Sequence, residues 1–423
     1  MAVTTIQTLL ARRISTITIF LSTAVAAIAL MVPADARRVT SGSALELQLL
    51  VNNASWAVTS GALAAAVCAV LVSVFGQRGG WLIAVVGMST TAVAHTVSRV
   101  LPTFSLTDLN YIDSVAAGAV IGALGAVTIS RRDAPFGFLL GLTSGVLLAD
   151  FTRLPVRIVD GAPAVNWSSM SMPPTLLVMG CVALLAVCFH RAPRNQKLAD
   201  ITPCEVPVPP VAAALIATVT LLFATEHLSN NANGITHIVL AVAVLIPTLL
   251  VAALMLPNRD GSALLIAIMV STAGTAVNVA RQSLWATPVI IAAVALGLFA
   301  GRGRSIWTAA AAATTAALYA ALTADSTESW WPIAGIILVA TLTGLCFGSA
   351  ITTVTPGALV ASAMFFVPSL AIAAYCPSGK LMEGPVLGLD DRFRLDSSTP
   401  GLVALAVCAA CASNLLLLRR IRT

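Results

Sequence analysis

Apolar stretches long enough to cross a bilayer recur along the whole chain, separated by Lys/Arg, Pro and short polar segments. A hydrocarbon core of about 30 Å takes roughly 20 helical residues, and on that measure the pattern predicts fourteen spans. They run Ile14 to Val32, Val51 to Phe75, Trp81 to Leu101, Ile112 to Ile129, Phe136 to Phe151, Pro173 to Phe189 and Val211 to Thr225. The series continues with Ile235 to Leu256, Ala263 to Ser283, Thr287 to Ala300, Ile306 to Thr323, Pro332 to Ala350, Gly357 to Tyr375 and Gly401 to Leu418. The expected fold is an all-α polytopic membrane protein.

Composition sharpens this. With 58% hydrophobic and 9% charged residues over 423 positions, against roughly 25% charged for a soluble domain, no stretch remains for a soluble catalytic or nucleic-acid-binding module. The net charge of +6 matters through its placement. With the amino terminus inside, the inner connections carry fourteen of the 23 basic residues, among them Arg12, Arg13, Arg78, Arg131, Arg132, Arg302, Arg304, Arg419 and Arg420. Only Asp133, Asp200, Glu205 and Asp260 are acids there, so the positive-inside rule places both termini in the cytoplasm of a plasma membrane. Trp56, Trp167, Trp285, Trp330 and Trp331 fall at outer ends, and Trp81 and Trp307 at inner ends, as interfacial anchors. Arg12-Arg13, an apolar run and Ala34-Asp35-Ala36 imitate a cleavable signal, but the run exceeds the usual 7 to 15 residues of such a core, so it is read as a retained first span.

Sliding the chain on itself matches Gly79 to Arg99 with Gly261 to Arg281, pairing Ser89/Ser271, Thr90/Thr272 and Arg99/Arg281. This places the third span on the ninth. Two parallel six-helix repeats follow, residues 1–190 and 211–350, joined by a cytoplasmic linker at 191–210, with 351–423 an additional helix pair carrying an outer loop. Parallel repeats are related by an axis along the membrane normal.

Two polar connections, Gly76-Gln77-Arg78-Gly79 and Asn258-Arg259-Asp260-Gly261, then resemble the short hydrophilic signature of the major facilitator superfamily of secondary transporters. The Arg131-Arg132 entry to the fifth span, followed by Gly137, Gly141 and Gly145, is similar to that family as well. The resemblance covers roughly Ile14 to Ala350. It implies a secondary transporter working by alternating access, with Gly76, Arg78, Gly79, Asn258, Arg259, Asp260 and Gly261 as gating-loop residues.

Ionisable groups inside a membrane mark functional sites by default, because they are costly there without water or a partner. His95 and Arg99 share a helix face, and Asn278 and Arg281 form the corresponding group in the other repeat. With Asp150 and Glu226 they are the candidate substrate or proton sites. Asp113, Arg153, His227 and His237 read instead as interfacial residues reaching water. Gly137, Gly141 and Gly145 form a small-residue stripe for close helix packing. Eight cysteines form no metal or disulfide framework, and Cys408-x-x-Cys411 reads as packing. No ATP-binding loop, metalloprotease motif or nucleophile elbow occurs, so neither an enzyme nor a cofactor is expected.

The partners expected are membrane lipids and a small or lipid-linked substrate, with no nucleic acid. Two other readings share these features: a lipid-linked saccharide flippase, in which Arg99 and Arg281 would bind lipid phosphate, and a non-transporting subunit of a cell-envelope or secretion assembly. If the chain is a transporter, Arg281→Ala abolishes flux while leaving folding intact. Unchanged flux in a vesicle assay removes that site.

Overall fold

The computed structural model describes residues 2–32, 44–100, 105–128, 134–152, 157–159, 162–164, 173–192, 208–231, 235–257, 259–277, 286–323, 331–351, 355–367, 369–371 and 398–422. They form thirteen helices: α1 (Ala2–Met31), α2 (Ala44–Val100), α3 (Leu106–Thr128), α4 (Ala134–Thr152), α5 (Thr175–Arg191), α6 (Val208–Asn231), α7 (Ile235–Met255), α8 (Asp260–Ala276), α9 (Thr287–Gly301), α10 (Ile306–Thr323), α11 (Trp331–Ala350), α12 (Pro356–Ala363) and α13 (Thr399–Arg422). A ribbon of two three-residue strands, β1 (Arg157–Val159) and β2 (Ala162–Ala164), lies between α4 and α5. Among the described residues, eight helices are long and apolar enough to cross a membrane, and four more are shorter apolar helices.

The 57 residues of α2 would extend about 86 Å as one straight helix at 1.5 Å per residue, far beyond a bilayer. Gly76 interrupts it at φ 81°, a left-handed conformation that glycine adopts without steric cost. The arms on either side run in opposite directions. Along the first, Gly61 and Ala65 meet Gly118 and Gly122 of α3 in parallel order; along the second, Gly80 meets Val127 and Gly87 meets Ala116 and Val120 in antiparallel order. Counted as two segments, α2 brings these twelve apolar helices to thirteen among the described residues, one short of the fourteen expected; the remaining helix, α12, has only eight described residues.

Small residues set the tightest seams. A Cβ on Gly118 would run into the carbonyl oxygen of Gly61, and one on Gly122 into that of Ala65. The same pattern recurs between α11 and α9: Gly344 faces the carbonyl of Val294, and Gly348 that of Leu298. The anticipated stripe on α4 lies against α1, with Gly137, Gly141 and Gly145 over Thr16, Phe20 and Ala24. Without a hydrophobic drive between helices in lipid, close backbone approach of this kind is what holds a bundle together.

These seams belong to a repeated arrangement. In the first set α1 packs on α3, α4 and α5, the first α2 arm on α3, and α2 on α5. In the second set α8 packs on α11, α12 and α13, α9 on α11, and α10 on α13. The α8 and α12 helices run in parallel, joined by the Ser271 hydroxyl to the Phe365 carbonyl at 3.5 Å and by Thr275 to Ser369, as α1 and α4 do. The packing therefore recurs at an interval of eight spans, whereas the local sequence match corresponds to six. Between the sets stands the α6–α7 hairpin. Its α6 packs on α2, with Phe223 edge-on to Trp56, and its α7 packs on α8 and α13. Asn414 donates to the Ile246 carbonyl at 2.8 Å beside Pro247, and Arg422 donates to the Ala253 carbonyl at 3.0 Å.

One interfacial expectation fails. Trp81 is 1% exposed and among the largest fully buried side chains. The reversal at Gly76 turns this part of α2 back against its own first arm and α3, so the indole sits inside the bundle.

A branched side chain in the α2–α3 seam forces the two backbones apart, so Gly118→Val lowers stability by about 1–3 kcal/mol or more. Gly180→Ala is the control. Nothing lies within 4 Å of a Cβ there, and in mid-helix the change is neutral or mildly stabilising. Thermal unfolding in detergent distinguishes the two.

Candidate functional site

We use "near face" for the end of the bundle where α1 begins and "far face" for the opposite end. His95 lies in the second α2 arm, which ends at the far face, and Asp113 in α3, which begins there. Because the two helices are antiparallel neighbours, residues 18 apart in sequence meet: His95 Nε2 and Asp113 Oδ2 are 3.0 Å apart, with both side chains 0% exposed. Asp113 is the eighth residue of α3, about 10 Å in from its start at 1.5 Å per residue.

Asp113 is thus not an interfacial residue reaching water, as its place near a span start implied. α2 and the other packed helices close over it. The legible signal was the combination of an acid and a histidine at similar depth on consecutive spans joined by a short connection.

The pair is incompletely satisfied. Among the described residues, His95 Nδ1 and Asp113 Oδ1 are buried without hydrogen-bond partners, as are the hydroxyls of Thr91, one turn from His95, and Ser114, next to Asp113. Ser98 donates instead to the His95 carbonyl at 3.0 Å. Burying polar atoms this way is expensive in an apolar medium. The second set of helices has no counterpart: Asp113 precedes Gly118 by five positions, and five before the matching Gly344 stands Val339, 2% exposed.

The other candidates are dispersed. Arg99 follows His95 by four residues in α2 and Asp150 lies near the end of α4, but their side chains fall outside the described residues, as do Asn278, Arg281 and Asn258 altogether. Glu226 is half-buried in α6, on a different element from the pair. Beside it, His227 Nε2 approaches His237 Nδ1 of α7 at 3.2 Å, joining the hairpin at the far face.

At the near face, Gly76 forms the turn between the α2 arms, while Arg78 lies 5.1 Å over the Phe189 ring of α5. Among the described residues the other glycine with positive φ is Gly303, at 75°, between α9 and α10. This turn, not Asn258–Gly261, occupies the place matching Gly76 in the repeated packing. Asp260 instead begins α8, where its Oδ2 accepts the Thr355 hydroxyl at 2.6 Å and fastens α8 to the start of α12; Gly261 backs closely onto the Ala253 carbonyl of α7.

Among the described residues the two sets meet where α4 packs on α9 and α11 and where α12 packs on α2 and α3, and two side-chain contacts there lie at the near face. The Arg302 guanidinium, after α9, lies 4.9 Å over the ring of Phe136 at the start of α4. Leu359 of α12 and Phe138 of α4 both fill the space over Gly125 near the end of α3. Among the described residues no cluster of three or more potential metal ligands occurs, and the described cysteines, Cys68, Cys181, Cys188, Cys346, Cys408 and Cys411, are free thiols.

These features define an all-helical, multi-pass membrane protein. Its fold is shared with solved transporters. A crystal structure of the POT family transporter PepTSo superposes with a TM-score of 0.51 at 12% identity, covering 97% of this chain and 98% of that one. An auto-inhibited POT family peptide transporter superposes at 0.50 and 13%, covering 97% and 96%. Neither protein-family models nor curated proteins match the chain.

Removing one member of a buried pair leaves the other uncompensated, so Asp113→Leu or His95→Leu alone destabilises by about 3–5 kcal/mol, while replacing both by leucine costs much less. Thermal unfolding of the two single variants and the double variant measures the coupling; strictly additive losses contradict the pairing.

Proposed function

We propose that the protein is a secondary active transporter of a small or amphipathic solute, built as two rocking halves on the plan of the major facilitator superfamily. In this reading the halves are α1–α5 and α8–α13, and the extra pair is the α6–α7 hairpin between them, in place of residues 351–423. The observation that carries the reading is the repeated packing of the two sets of helices, together with their cross-contacts at one face. Alternating access requires two internally rigid units with a separable contact at each face. The glycine seams supply the rigidity, and the contacts between the halves, where α4 meets α9 and α11 and α12 meets α2 and α3, include one stacked cation, Arg302 on Phe136, and one apolar side chain, Leu359 over Gly125.

Arg13, Arg78, Arg191, Arg259, Arg302, Arg304, Arg419, Arg420 and Arg422 all belong to the near face, which we assign to the cytoplasm of the plasma membrane by the positive-inside rule. Both termini then lie inside, and the conformation described is one closed toward the cytoplasm. Of the candidate residues, His95 with Asp113 is the site proposed for substrate or ion. The reading gives the chain no catalytic role and no cofactor.

The test is to tether the near face. In a cysteine-depleted background, Arg302→Cys with Phe136→Cys, joined by a bis-maleimide, holds the halves together there. Transport screened in proteoliposomes falls to background on tethering, while either single cysteine retains flux under the same reagent. Unimpaired flux in the tethered protein eliminates rocking about this contact.

A further inference from the structure

We infer that His227 and His237 form a two-histidine site for a divalent metal ion of the zinc class at the far end of the α6–α7 hairpin, a site that stands independently of the transporter reading. The argument begins with where the two rings are. His227 lies about one turn before the end of α6, and His237 is the third residue of α7, so the rings face each other across the tip of the hairpin. His227 Nε2 and His237 Nδ1 are 3.2 Å apart, with ring centroids at 5.2 Å and planes inclined by 53°. Imidazole nitrogens bind zinc at about 2.0–2.1 Å in tetrahedral geometry, which sets two of them about 3.3–3.4 Å apart. The pair already has the separation of two ligands on one ion.

Without metal, one ring donates to the other. With it, each ring turns a lone pair to the ion and keeps its proton on the outer nitrogen, Nδ1 of His227 and Nε2 of His237. Both imidazoles remain neutral, the form in which histidine is a metal ligand. The rearrangement moves one proton between the two nitrogens of a single ring through water, and none is gained or lost.

The helices beneath the rings are held from elsewhere. One turn inward from His227, Phe223 packs edge-on against Trp56 of α2. On α7, the Ile246 carbonyl accepts from Asn414 at 2.8 Å and the Ala253 carbonyl from Arg422 at 3.0 Å, both on α13. The two ligands thus stand on packed helices, which leaves little ordering to be done when an ion arrives. Both rings are half-buried, so water reaches the remaining coordination positions, as in an open site. Glu226, half-buried beside His227, adds negative charge at the same end of the hairpin. Nitrogen donors favour zinc, copper or nickel, whereas magnesium and calcium take oxygen. An ion held here ties α6, which packs on α2, to α7, which packs on α8 and α13.

The test uses the metal alone. The chain has four histidines, His95, His190, His227 and His237, so binding is assigned directly in protein that carries no histidine tag. Full-length protein in a cysteine-depleted background, where thiols do not compete, is placed in lipid nanodiscs and titrated with Zn²⁺ by calorimetry. The parent binds one ion per chain. His227→Gln and His237→Gln each bind about tenfold or more weakly, while His190→Gln, at the near face, binds as the parent does. Zn²⁺ also raises the thermal unfolding midpoint of the parent and of His190→Gln, and leaves those of the other two variants in place. A further measurement needs no substitution at the site: the electron paramagnetic resonance spectrum of Cu²⁺ on the parent shows two nitrogen donors. No binding, binding undiminished by both His227→Gln and His237→Gln, or a copper spectrum with fewer than two nitrogens overturns the site and leaves the transporter reading untouched.

Discussion

The structure depends on the absence of water from the bilayer core. Every backbone amide and carbonyl there must be paired within the chain, which makes helices obligatory, and lipid is as apolar as leucine, which removes the usual drive for helices to associate. The molecule answers with contact between backbones. Gly118 and Gly122 of α3 against the first arm of α2, Gly344 and Gly348 of α11 against α9, and Gly141 and Gly145 of α4 against α1 each occupy a place where a Cβ would collide with backbone.

The same constraint gives the His95–Asp113 pair its meaning. In water a histidine beside an aspartate is ordinary. Buried among α2, α3 and their neighbours, the pair is a polar contact, 3.0 Å from Nε2 to Oδ2, in surroundings where polar groups are costly. The asymmetry between the halves follows. Packing needs both glycine seams, and the protein has both; the acid occurs once, where Val339 shows that an apolar residue satisfies the packing.

Chain reversal supplies a further economy of design. Gly76 and Gly303 each adopt positive φ where a span turns back at the near face, and each turn is followed or preceded by an arginine resting on an aromatic ring. Arg78 stays within its half, on Phe189; Arg302 reaches the opposite half, on Phe136. One local motif thus serves to close a turn in one place and to join two bodies in another. The α6–α7 hairpin leans on both bodies, α6 on α2 and α7 on α13, with His227 and His237 meeting at its far end.

Read alone, the sequence determined the solvent of this protein and its construction from many apolar helices. Hydropathy and the placement of arginines are local or additive properties, summed along the chain, and packing does not alter them. The small-residue stripe on α4 was legible for the same reason, since its spacing is a property of one helix. The partners of each span were not. A weak self-match set the third span beside the ninth, while the packing relates spans at an interval of eight, because in apolar, low-complexity sequence the residues that fix a neighbour are single glycines scattered over different helices. Trp81 reads as an anchor until the turn at Gly76 folds it inward. Asp113 reads as a surface residue until α2 and α3 lie antiparallel and bring His95 to within 3.0 Å of it: a carboxylate's surroundings belong to the helices around it, and only the tertiary structure chooses those.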